Sequence, residues 1–164
     1  MQAHTLENRN FSANPEVIRM DLIQSPAESR TYSREFFASL KQSNATQNIY
    51  FSNYIEWQGA MRERWFFEEI SQDMLQNTGV FVTKRVEHNY LREGFPFQTI
   101  RCELNTANIQ KCSFTLVFRF FIDSELLGEG RQRIAFLNHQ KKPTKLPNAV
   151  LDKLRSFEEG ARES

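Results

Sequence analysis

Hydrophobic and polar positions alternate through the second half of the chain. In "KCSFTLVFRFFID" (111–123), Phe114, Leu116, Phe118 and Phe120 fall on one face, the period of two that a half-buried strand requires. The same spacing predicts strands over 79–91 ("GVFVTKRVEHNYL"), 95–106 and 128–138, with turns assigned to "NTANIQ" and "SELLGEG". An earlier strand is expected over 30–40. Between it and the others the pattern changes: 50–70 has helical spacing, with aromatic and aliphatic residues over much of the circumference. Such a helix, about 30 Å long, is expected to be wrapped by sheet rather than laid on a surface. "KKPTKLP" reads as a proline-broken linker, and "NAVLDKLRSF" as a short closing helix begun by Asn148. One strand, one long buried helix and four strands make an α+β domain, with one antiparallel sheet around a central helix. It is expected to cover 29–160. Residues 1–28, polar and irregular with Pro15 and Pro26, are expected to form an N-terminal arm.

Composition agrees with a packed core. The 164 residues include 15 phenylalanines and are 40% hydrophobic, and a chain of this size buries roughly 68–70% of its unfolded surface without disulfides or metals. A net charge of +1, from 21 basic and 20 acidic residues, argues against nucleic acid as a partner. The start "MQAHTLENRN" lacks the apolar core of a signal peptide, and the most apolar run, "FTLVFRFFI", is broken by Arg119. A cytoplasmic protein with no membrane partner is expected. Cys102 and Cys112, nearly symmetric about a turn expected near Ala107, read as reduced core thiols. His4, His88 and His139 have no metal-ligand spacing, and neither a metal nor a cofactor is expected.

The helix carries a polar row. Tyr54, Gln58 and Arg62 are spaced i, i+4, i+8 and line a strip about 12 Å long. Gly59 beside them would admit a close neighbour. Singly, Tyr54 reads as a core tyrosine and Arg62 as the partner of Glu63 or Glu87. Together, behind the polar loop 41–48, they read as the wall of a site. The helix start offers backbone N–H groups around Ile49, Tyr50 and Phe51 that would hold an oxyanion, unless Thr46 or Asn48 caps them.

"SNATQNIYFSNYIEWQGAMRERWF" (43–66) resembles the signature of hotdog-fold thioesterases, most closely that of the enediyne polyketide group. That group shows a Thr-Asn pair, a Gly-Asn-Val-Tyr-Phe run, an Asn-Tyr, a Trp-Gln-Gly and a Cys-Arg-Glu at the same spacing. Here the positions read Ser43-Asn44, Gln47-Asn48-Ile49-Tyr50-Phe51, Asn53-Tyr54, Trp57-Gln58-Gly59 and Met61-Arg62-Glu63. Ser43 keeps the hydroxyl of the threonine, whereas Gln47 replaces a glycine and is expected to narrow the pocket mouth.

The resemblance implies a hotdog fold and hydrolysis of a polyketide or β-ketoacyl thioester carried by an acyl carrier protein or CoA. It implies a homodimer or homotetramer with the site at the subunit interface. Related 4-hydroxybenzoyl-CoA thioesterases have an aspartate where this chain has Asn44, and a neutral amide cannot serve as base or nucleophile. The implied mechanism is therefore hydrolysis without a protein carboxylate, in which water attacks directly and hydrogen-bond donors hold the water and the oxyanion. Asn44, Tyr54 and Arg62 are the implied catalytic residues. Asn48, Ile49, Tyr50, Phe51, Gln58 and Gly59 would bind the substrate or oxyanion, and Glu63 would support Arg62. Three alternatives stay open: a helical glutamate base, Glu56 or Glu63; an acyl-CoA thioesterase of general metabolism; and a silent acyl-binding protein. A tunnel lined by Phe51, Trp57 and Phe66 would take the acyl chain, with Lys84, Arg85, Arg92, Arg131, Arg133, Lys141 and Lys142 available to an acidic carrier.

Overall fold

The alternating segments become strands of one sheet. A computed structural model describes residues 29–74 and 78–160; the expected N-terminal arm, 1–28, lies outside the described residues. The elements are β1 (Tyr32–Phe37), α1 (Ser52–Glu69), β2 (Val80–Tyr90), β3 (Thr99–Gln110), β4 (Ser113–Ile122), β5 (Glu125–Leu137) and α2 (Asn148–Ser156). Strand order is β1-β3-β4-β5-β2, and every neighbouring pair is antiparallel. β1 and β2 thus form opposite edges, and the chain between them is α1. Crossing from edge to edge carries the helix over the inner face of all five strands.

That face is the core. Ile100, Cys102 and Leu104 of β3, Phe114, Leu116, Phe118 and Phe120 of β4, and Ile134 and Phe136 of β5 are buried in one cluster with Tyr54, Trp57, Met61 and Trp65 of α1. Met61 and Trp65 are almost wholly buried, and side chains of that size stabilise by roughly 1.5–3 kcal/mol each. The α+β hotdog architecture is as expected. Among the described residues no helix is long and apolar enough to cross a membrane.

Helix α1 keeps one exposed stripe, Ser52, Glu56, Ala60, Glu63 and Phe67. Several local expectations are corrected. The β3–β4 turn is Lys111-Cys112, not "NTANIQ", which belongs to β3. Asn108 there has φ 48°, and the register shifts between Ala107 and Gln110, so the turn-like residues make a bulge inside a strand. Cys102 therefore pairs with Phe120, and Cys112, in the turn, lies about 30 Å farther along the hairpin. The β4–β5 turn is Asp123-Ser124, and "ELLGEG" is strand. Helix α2 has Pro147, not Asn148, as its N-cap.

Candidate active site

The segment from β1 to α1 folds on itself through its polar side chains. Ser39 and Gln42 form a capping box. The carbonyl of Gln42 accepts from the Tyr50 N–H at 2.8 Å and from Asn53 Nδ2 at 2.9 Å, tying the loop to the helix start. Ser43 and Ile49 form a β-bridge, closed by Asn44 N–H donating to Asn48 O (3.0 Å) and Gln47 N–H to Asn44 O (3.0 Å). Gln47 has φ 64°, the left-handed region where glycine is at ease. The glycine-to-glutamine departure therefore strains this turn. Gln47 is not among the residues that line the groove described below.

Within this loop Asn44 is used from one end. Its Oδ1 accepts from Thr46 N–H (3.0 Å), Thr46 Oγ1 (2.7 Å) and Asn48 N–H (3.3 Å). The Nδ2 donors have no partner among the described residues. A side chain saturated as an acceptor and free as a donor can stabilise an oxyanion but cannot take a proton.

The loop is stitched to the β2–β3 connection. Ile49 N–H donates to Gly94 O at 2.7 Å, Asn48 Nδ2 to Glu93 Oε1 at 2.8 Å, and Tyr90 Oη to Phe51 O at 2.9 Å. Between the two segments lies a groove of about 320 Å³, lined by Asn44, Asn48, Ile49, Tyr50, Phe51 and Tyr54 on one side and by residues 90–94 on the other. Tyr54 is buried at its base, and its hydroxyl has no partner among the described residues. Burial, then the neighbouring Tyr90, pushes its pKa up to about 12, so it remains a protonated donor. A Cβ on Gly94 would lie 2.9 Å from Tyr54 Oη and 2.8 Å from Ile49 Cδ1; glycine leaves room for this buried hydroxyl at the groove wall.

Six of the residues named from sequence thus meet in one place: Asn44, Asn48, Ile49, Tyr50, Phe51 and Tyr54. The expected backbone oxyanion site changes, because the N–H groups of Ile49 and Tyr50 are already bonded. Those of Phe51 and Ser52, at the positive end of α1, have no partner among the described residues, and no side chain caps the helix.

The rest of the polar row does not reach the groove. Gln58 is fully buried; its Nε2 meets His88 Nδ1 at 3.1 Å, and its Oε1 accepts from Gln132 Nε2 at 3.4 Å. Arg62 donates to Thr83 Oγ1 and to Gln132 Oε1 (3.3 Å). Neither expected carboxylate pairs with it: Glu87 bonds to Arg85 at 2.7 Å, and Glu63 is exposed with no ion pair among the described residues. A methyl on Gly130 would overlap the Gln58 amide, so that glycine opens the space this buried chain occupies. Gly59 has open space where a Cβ would stand, and no close approach there requires glycine. Trp57 packs in the core, and Phe66 borders a separate cavity of about 530 Å³ at the far end of α1, so the expected tunnel through Phe51, Trp57 and Phe66 is not formed. Of the basic residues, Arg92 borders the groove but pairs with Glu125. Arg85, Arg131 and Arg133 gather around a depression on another part of the sheet.

A family model described as the thioesterase-like superfamily matches residues 40–154, the span that holds this loop, the helix and every strand after it. The chain belongs to the thioesterase-like superfamily. Its reaction class is thioester hydrolysis. No curated protein sequence matches it. Among solved structures, this thioesterase is similar to the dynemicin thioesterase, a structure described with polyene binding (20% identity, TM-score 0.70, covering 80% of this chain and 100% of that one). It is similar to a 1,4-dihydroxy-2-naphthoyl-CoA thioesterase from Synechocystis (12%, TM-score 0.67, 77% and 96%). A hypothetical protein from Staphylococcus aureus, solved in complex with CoA, also shares the fold (9%, TM-score 0.72, 83% and 90%).

The thioesterase groove also contains Tyr90, Leu91, Glu93 and Gly94, which belong to no motif in the sequence. Their one signal is position, a Glu-Gly pair in the connection after a predicted strand. His88, which lacks ligand spacing to the other histidines, stacks on Tyr54 with ring centroids 5.1 Å apart.

Proposed function

We propose that this thioesterase releases a polyketide or β-ketoacyl chain from an acyl carrier protein or CoA by direct attack of water, with no carboxylate nucleophile at residue 44. The observation that carries the proposal is the one-ended use of Asn44. Its oxygen is filled by the loop, its amide donors stand free, and it lines the same groove as Tyr54, whose buried hydroxyl is protonated and without a partner among the described residues.

A thioester carbonyl in the groove would receive hydrogen bonds from Asn44 Nδ2 and Tyr54 Oη, with the Phe51 and Ser52 N–H groups at the helix start adding positive potential. These donors strengthen as charge moves onto the carbonyl oxygen, so they favour the transition state over the bound substrate. Arg62, two helical turns from Tyr54, holds the helix to β2 and β5 through Thr83 and Gln132, and acts as a positioning residue. Ile49, Phe51, Tyr90 and Leu91 give the groove apolar surface for an acyl chain.

The protein works as a homodimer or homotetramer in the cytoplasm. β2 is an edge strand with most of its residues exposed, which a second copy would cover. Arg62 has no carboxylate partner among the described residues. The dynemicin thioesterase among the similar structures favours the polyketide substrate, and the CoA complex of the Staphylococcus aureus protein keeps CoA as the alternative carrier.

Thiol release from one β-ketoacyl chain, presented on an acyl carrier protein and on CoA, tests the proposal. The expected result is turnover of both, with higher kcat/KM on the carrier protein. Binding of the chain without thiol release above background would make the protein a silent acyl binder.

A further inference from the structure

Direct attack by water at neutral pH calls for a proton acceptor, and Asn44 is excluded because its oxygen already accepts from three loop donors. Glu93 is the one carboxylate among the described residues that line the groove. Its Oε1 is fixed by Asn48 Nδ2 at 2.8 Å, a neutral donor that orients the group without neutralising it. The nearest cation in sequence, Arg92, pairs with Glu125 instead, and Glu93 has no ion pair among the described residues. Its other oxygen has no hydrogen-bond partner among the described residues, and the side chain is exposed at the groove rim.

The competing groups are occupied or remote. Glu56 and Glu63 lie on the exposed stripe of α1 and do not line the groove. His88 meets Gln58 through Nδ1, and its Nε2 is buried. Tyr90 donates its hydroxyl to Phe51 O. Besides Glu93, the titratable groups lining the groove are Tyr50, Tyr54, Tyr90 and Arg92, and none of them is a carboxylate or an imidazole.

We propose that Glu93 is the general base that activates the attacking water, on one face of a thioester whose carbonyl oxygen is held by Asn44 and Tyr54. This rests on the thioester-hydrolysis reading of the groove. As the water oxygen bonds to the carbonyl carbon, Glu93 takes a water proton and the π pair moves onto the carbonyl oxygen. Collapse of the tetrahedral intermediate re-forms C=O and breaks C–S. The leaving thiolate then receives the proton from Glu93, giving acid and thiol and restoring the carboxylate. Asn48 becomes a positioning residue: it bridges the loop that carries Asn44 and the connection that carries Glu93.

The test is Glu93→Gln, which keeps an oxygen for Asn48 Nδ2 and removes the basicity. General-base catalysis is worth about 10²–10⁴-fold, so kcat should fall by that factor, with KM nearly unchanged and Tm equal to wild type. The decline in rate toward low pH should be absent from the residual activity. Glu93→Asp, which retains the base but withdraws it by one methylene, should recover part of the rate. An active wild type with an equally active Glu93→Gln overturns the role of Glu93 alone. So does a variant whose loss appears as raised KM and lowered Tm, the mark of a loop-stitching residue. A wild type that releases no thiol from any thioester overturns the parent reading and this one with it.

Discussion

Asn44→Ala will lower kcat for thiol release by about 10²–10³-fold, the usual effect of removing one donor from an oxyanion site. It will also loosen the loop, since Oδ1 accepts from Thr46 and Asn48; losing such exposed bonds costs about 1 kcal/mol. Asn44→Asp separates the two effects. Aspartate keeps the accepting oxygen, so Tm should stay near wild type, but it replaces the Nδ2 donors with a negative charge beside the developing oxyanion. It should be no more active than the alanine variant. Residue 44 would be a latent acid position, and the donor role of its amide wrong, if the aspartate variant matched or exceeded wild type.

Stability will fall as pH drops from about 6.5 to 4, and much of that fall will be absent from His88→Gln. The His88 ring lies against Tyr54, Tyr90 and Phe120, with centroids 5.1, 4.4 and 5.4 Å away. Burial in that aromatic setting lowers its pKa from the ordinary 6.5 to about 4. Between those values the unfolded chain binds a proton that the folded chain does not. Stability therefore rises with pH, is complete above the unfolded value, and is lost as pH falls toward the folded one. The contribution is on the order of 1–2 kcal/mol once the partial solvation of the ring is allowed for. Urea midpoints of wild type and variant between pH 7.5 and 4 measure it. Parallel curves for the two proteins would mean that His88 does not carry the effect.

Helix, strands and sheet were legible because period-two and helical spacing are local properties, and β4 shows the first plainly. The turns were not, since Asn105-Thr106-Ala107-Asn108 has turn chemistry but is consumed by a bulge inside β3. In the site, the residues contributed by one continuous stretch, Asn44 through Tyr54, were legible. The helical row misled through its length: Tyr54 reaches the groove, while Gln58, one turn on, enters the core and Arg62, two turns on, is half-buried against β2 and β5. Glu93 was not legible because the sheet, rather than the sequence, places the β2–β3 connection against the loop before α1. Asn48 and Glu93 touch across 45 positions of chain.

The central claim is that water, not a protein carboxylate, attacks the thioester. Hydrolysis of a β-ketoacyl thioester in oxygen-18 water, with enzyme in excess so that each molecule turns over once, tests it most directly. Direct attack, with Glu93 as base only, puts the heavy oxygen into the product carboxylate on that first turnover. An unlabelled first product, with oxygen-18 appearing in a glutamate or aspartate of the protein, would mean a covalent acyl-enzyme anhydride and would contradict the account.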